Sequence, residues 1–162
     1  MKAFDDITAF AALLPISGAL AGLDLGDKTI GIAVSDLRRQ VATPLLTIRR
    51  VKFGVDAAEL IRICSDRRIV GLVLGLPRNM DGSEGPRAQG TRAFARNLEH
   101  LSPLPLALWD ERLSTVAAER ALLEADTSRK RRAEVIDHVA AGYILQGALD
   151  RLGYISRQAG TV

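Results

Sequence analysis

Two carboxylates, Asp24 and Asp137, stand where the surrounding pattern asks for apolar residues, and a third, Glu111, stands at the end of a strand. Asp24 lies in Gly22-Leu23-Asp24-Leu25-Gly26-Asp27-Lys28-Thr29-Ile30-Gly31-Ile32-Ala33-Val34-Ser35, which reads as a tight β-hairpin buried in a core. A lone carboxylate in such a strand costs several kcal/mol unless a metal ion, an ion pair or a phosphate-binding role compensates it. Glu111 follows a strand that ends in Trp109-Asp110-Glu111-Arg112. Asp137 shares a helix face with Ala140, Ala141, Ile144 and Ala148. Taken singly, Glu111 fits a solvated strand end and Asp137 fits a helix-dipole partner equally well. Taken together, converging acids repel one another unless cations bind between them. Two divalent ions about 3.5–4 Å apart would satisfy them, one activating a water and the other stabilising the leaving oxygen of a phosphodiester.

The alternation of side chains along a strand sharpens the case for Asp24. Gly22, Asp24 and Gly26 share one face; Thr29, Gly31, Ala33 and Ser35 share a face of the next strand. If these small faces coincide, Asp24 projects into cleared space, which a ligand site requires and a structural aspartate does not. Asp110 and Glu111 alternate, so only one of them can share that face, and Arg112 is placed to neutralise the other.

The elements that must position these groups follow from periodicity. Residues 4–14 read as a short amphipathic helix before Pro15. Strands are expected over 19–26, 29–35 and 40–48, with Pro44 placing the third at an edge or bulge. A helix over 55–67 precedes the continuous apolar run 69–74, the mark of a central strand covered on both faces. A helix from Pro86 to about His100, a strand over 105–110, a helix over 115–125 and a last helix over 133–152 complete the order. Three meandering strands and then alternating strands and helices predict an α/β domain, a five-stranded mixed sheet with helices on both faces. The domain is expected over 18–155, with 1–17 as an N-terminal helical extension.

The charge pattern permits a nucleic-acid partner and equally fits the solvated faces of an ordinary globular protein. Of the 162 residues, 22 are Lys or Arg and 19 Asp or Glu, a net charge of only +3, yet the basic residues cluster as Arg129-Lys130-Arg131-Arg132 and in three Arg pairs. The loop Gly75-Leu76-Pro77-Arg78-Asn79-Met80-Asp81-Gly82-Ser83 follows the central strand, and its Arg78 and Asn79 suit phosphate contact or backbone positioning. Lys28 and Arg112 flank the carboxylates. The polar loop 126–132 adjoins Asp137 and is expected to order on substrate binding. Cys64 is the only cysteine, which excludes an intrachain disulfide. Two histidines, His100 and His138, do not suggest a histidine metal site, so a metal would be held by oxygen, favouring Mg²⁺ or Mn²⁺. No apolar run reaches membrane-spanning length and no signal peptide is recognisable, which points to the cytoplasm.

At these residues the chain resembles the YqgF, or RuvX-like, family of Holliday-junction resolvases and pre-16S rRNA processing nucleases with an RNase H-like fold. The resemblance rests on Leu23 to Gly31, Gly75 to Ser83, Asp110-Glu111-Arg112-Leu113-Ser114-Thr115 and Ile136-Asp137-His138-Val139-Ala140-Ala141, in the family's order and spacing. It implies that Asp24, Glu111 and Asp137 are the catalytic, metal-holding centre, and that the protein serves ribosome biogenesis or DNA recombination. Asp27 departs from the pattern, standing where relatives usually carry a hydroxyl or basic residue. Junction resolution would call for a homodimer; rRNA trimming would not. Two rival readings differ in class. An ATP-binding domain of the actin and hexokinase superfamily also carries Asp-x-Gly in a hairpin but needs a second lobe that this chain cannot hold. A non-catalytic nucleic-acid-binding factor would keep the fold without an efficient site.

Overall fold

A computed structural model describes residues 3–113 and 129–159, with the side chains of residue 3 and of 129–137 outside the description. Strands β1 (Ala3–Phe4), β2 (Ala19–Leu25), β3 (Thr29–Ser35), β4 (Ala42–Arg49), β5 (Ile69–Leu76) and β6 (Leu106–Asp110) form one sheet in the order β1-β6-β5-β2-β3-β4. The β2-β3 and β3-β4 pairs are antiparallel and the β2-β5, β5-β6 and β1-β6 pairs parallel. The five expected strands are present, and the two-residue β1 adds a sixth at the edge. The expected helix over 4–14 is shorter: Phe4 is drawn onto β6, and α1 spans Ile7–Ala12, capped by Asp6, whose carboxylate accepts the Thr8 amide at 2.9 Å.

Each face of the sheet is covered. Helices α2 (Phe53–Asp66) and α3 (Pro86–Glu99) lie on one side, where Leu23, Leu25, Ile30, Ile32, Leu72 and Leu74 meet Leu60, Ile63, Phe94 and Leu98. Helix α4 (Arg129–Ala159) and α1 cover the other, packing Ala140, Ala141, Ile144, Leu145 and Phe10 on Leu20, Ala33, Val73, Ala107 and Trp109. This face is made of smaller side chains, so the helix lies close to the strands.

Helix α4 starts four residues earlier than the expected 133. A run of Arg and Lys opposes the helix dipole in a first turn and reads as a loop. Arg, Lys and Ala are nevertheless strong helix formers, and propagation from the buried turns beyond Ala140 carries the helix back to Arg129. The expected loop 126–132 is therefore helical in its last four residues, while 126–128 lie outside the described residues. So does the helix expected over 115–125.

Pro44 sits where its missing amide does least harm. It lies on the edge strand β4, at the point where the register against β3 shifts between Ile32 and Ala33. The N-terminal segment is fastened by Arg39, whose guanidinium donates to the carbonyls of Gly18 at 2.8 Å and Pro15 at 2.6 Å, and by an ion pair of Asp5 with Arg92 at 3.0 Å.

Candidate active site

The small faces of the hairpin coincide. Gly22 pairs with Ala33 and Asp24 with Gly31, and directly paired residues of an antiparallel ladder point to the same side. That side faces α4: a methyl group added at Gly22 would lie 2.6 Å from Leu145 Cβ. The turn closing the hairpin is tight, with the Gly26 amide donating to the Thr29 carbonyl at 2.8 Å. Asp24 is 1% exposed at the end of this cleared strip.

Glu111 reaches the same strip from another strand. Gly75 follows Leu74, which pairs with Leu23, so it stands beside Asp24 on the neighbouring strand. A methyl group added at Gly75 would lie 2.7 Å from Glu111 Oε1 and 2.5 Å from Ile144 Cδ1. The carboxylate of Glu111 thus lies over a position where only glycine leaves room for it.

Asp110 takes the opposite direction, as alternation requires. Its carboxylate accepts from Arg112 Nη2 at 2.7 Å and from the Arg112 backbone amide at 3.0 Å. The second bond caps the short 3₁₀ turn Glu111–Leu113 that carries Glu111. The Arg112 guanidinium holds the Asp110 carboxyl below its ordinary range, against the opposing effect of burial. Arg112 also donates to the Met80 carbonyl at 3.4 Å, tying this turn to the loop after β5.

Asp137 belongs to the part of α4 described by its backbone alone. Its level is fixed by its neighbours: His138 bonds Thr47, which pairs with Gly31, the partner of Asp24. Residue 137 therefore lies on the helical turn that passes the Asp24 row. Among the described residues no three His, Cys, Asp or Glu side chains converge as a metal group; Asp24 and Glu111 are the two described members of the expected set. Their donors are all oxygen, which suits Mg²⁺ or Mn²⁺.

The expected backbone-binding residues divide by surroundings. Lys28 is exposed in the hairpin turn. Arg78 is half-buried, its Nη2 lies 3.5 Å from Glu84, and its Nε is buried without a hydrogen-bond partner. Glu84 is held in turn by Arg92, at 2.6 and 2.8 Å, which lowers its pKa. Asn79 closes its own loop: its amide nitrogen donates to the Ser83 hydroxyl at 3.0 Å and its carbonyl accepts the Gly82 amide at 2.9 Å. Arg112 is committed to Asp110. The side chains of Arg129, Lys130, Arg131 and Arg132 lie outside the described residues. Asp27 is exposed and lines a cleft with Arg50 and Arg87 on the α3 side. His138, set aside in the sequence because two histidines make no metal site, lies against β4 with its Nδ1 2.9 Å from Thr47 Oγ1, a contact that sequence reasoning missed. Its signal was adjacency to Asp137 and a helical spacing of four from Gly142.

Known proteins share this architecture and this sequence. T. thermophilus RuvC in complex with a Holliday junction superposes with a TM-score of 0.53 at 11% identity, covering 84% of this chain and 96% of that one. The likeness establishes an RNase H-like fold. A Cereibacter sphaeroides protein (strain ATCC 17029) named "Putative pre-16S rRNA nuclease" is 74% identical over 156 residues, 96% of this chain and 98% of that protein. A Paracoccus denitrificans protein of the same name is 73% identical over 153 residues, 94% and 97% of the two chains. The family model described as "RuvX: Holliday junction resolvase" matches residues 18–151. A cleared strip under two acids, a RuvC-like sheet and this match agree: the chain belongs to the RuvX family of nucleases.

Proposed function

We propose that this nuclease hydrolyses RNA phosphodiester bonds in the processing of the 5′ end of pre-16S rRNA, with Asp24, Glu111 and Asp137 as catalytic residues holding Mg²⁺ or Mn²⁺. The observation that carries the reading is Glu111 turned over Gly75 beside the buried Asp24, two acids on one strip that glycines keep clear. When bound, a pair of such ions supplies charge stabilisation to the attacking and departing oxygens of an in-line displacement.

The chain's own groups do the rest. The buried Asp24 fixes one end of the site on a rigid strand, and the capped turn fixes the other. Lys28, Arg78 and the basic residues 129–132 hold the nucleic-acid backbone, while Asn79 and Arg112 hold the loop that presents Arg78. Residues 1–17 act as an extension of a nuclease domain spanning 18–155. No helix among the described residues is long and apolar enough to cross a membrane, and we place the protein in the cytoplasm.

The relatives' name supports the rRNA reading. A second reading, Holliday-junction resolution by a homodimer, is favoured by the description of the family model. Cleavage of a pre-16S rRNA fragment and of a four-way DNA junction with Mg²⁺ or Mn²⁺ separates them. Asp24→Asn and Glu111→Gln are expected to abolish cutting. A wild-type protein that binds both and cuts neither would leave the non-catalytic factor as the better account.

A further inference from the structure

A polar cavity of about 300 Å³ opens between α4 and the β3-β4 pair, lined by Thr29, Thr47, Arg49 and His138. It shares the face of Asp24. Asp24, Gly31 and Thr47 form one row across three strands, and Thr29 pairs with Arg49 two residues along. At about 4.8 Å per strand, Thr47 stands about 10 Å from Asp24, with only a glycine between them. The cavity thus continues the cleared strip and does not form a separate site.

His138 is held there by construction. Gly142, one helical turn later, lets α4 close on β4: a methyl group at Gly142 would lie 3.2 Å from Pro44 Cγ. That approach brings His138 Nδ1 within 2.9 Å of Thr47 Oγ1. Among the described residues, an imidazole, two hydroxyls and a guanidinium line the opening, and no aromatic ring on which a base could stack.

We propose that Thr47 and His138, with Thr29 and Arg49, form a ribose-phosphate subsite that reads the 2′-hydroxyl of an RNA strand lying across Asp24. The proposal rests on the nuclease reading above and names its substrate class. A 2′-hydroxyl both donates and accepts, matching a threonine–histidine pair that does the same. Arg49 supplies the charge for the adjoining phosphate. A 2′-hydroxyl adds a bond to this pair that deoxyribose cannot make, which favours RNA.

The test is binding without cleavage. Fluorescence anisotropy in EDTA compares a labelled single-stranded RNA with DNA of the same sequence, for the wild type, Thr47→Val and His138→Gln. The wild type is expected to prefer RNA about fivefold or more, from one or two hydrogen bonds, and either substitution to bring that ratio towards one chiefly by weakening RNA. Equal wild-type affinity for RNA and DNA overturns the proposal. So does a ratio that survives both substitutions, including the case where they only lower the melting temperature because the pair merely joins helix to strand. Failure of the nuclease reading shows instead in the cleavage assay, whatever the binding ratio.

Discussion

Arg112 and Asp110 are joined through their side chains, with Nη2 at 2.7 Å and Nε at 3.1 Å from the carboxylate, and again from the Arg112 backbone amide at 3.0 Å. The residue between them is Glu111. The pair therefore fixes the turn from which Glu111 projects over Gly75, while its own charges cancel on the other side of the sheet. Arg112→Ala and Asp110→Asn are expected to lower cleavage about tenfold to a hundredfold, as loosening a catalytic group does. Stability should fall by less than about 1 kcal/mol, the usual worth of a part-exposed ion pair. Rates and urea midpoints measured on the same preparations check the split; equal loss in both would mean the pair is structural only.

Acid should loosen the same end of the molecule. Asp110 is held below its ordinary pKa by Arg112, and Glu84 below its own by Arg92. A carboxyl with a depressed folded pKa contributes stability above its unfolded value and loses it as pH falls through the folded value. The contribution is therefore whole at neutral pH and fades below about pH 4. Urea midpoints taken from pH 6 down to pH 2 are expected to fall more steeply for the wild type than for the double variant Asp110→Asn, Glu84→Gln.

Gly75→Ala tests the cleared strip directly. Its new methyl would lie 2.5 Å from Ile144 Cδ1 and 2.7 Å from Glu111 Oε1, so the Ile144 side chain and the Glu111 carboxylate must shift. A loss of about 1–3 kcal/mol is expected from overpacking, together with loss of cleavage. A variant as stable and as active as the wild type would show that the strip is not needed.

Metal binding at Asp24 has a readout independent of turnover. Saturating Mn²⁺ should raise the melting temperature, since a ligand at a hundred times its Kd adds about 2.7 kcal/mol. Asp24→Asn is expected to lose the shift. A Mn²⁺ shift of equal size in both proteins would move the metal elsewhere.

The sequence carried the fold well where periods were long and faces distinct. Asp24 between Gly22 and Gly26 foretold the small-residue strip, and alternation alone separates Glu111 from Asp110. Legibility failed where tertiary contact overrides local preference. Phe4 joins a strand because β6 offers an edge, which no local pattern in residues 3–14 shows. Arg129 to Arg132 are helical because α4 is anchored far downstream. His138 meets Thr47, 91 positions away in the chain, and that neighbour is set by the register and bulge of β4. Asn79 and Arg112 look like phosphate ligands in isolation, yet both are bound to their own loop or turn.

Both borders of the sheet are guarded. On one side, β4 carries a proline at its bulge. On the other, β1 pairs with Leu106 and Ala107, and Asp5 and Asp6 flank the stretch that follows. Among the described residues, one border is only two residues long and the other is broken by a proline at its bulge, which disfavours polymerising edge to edge.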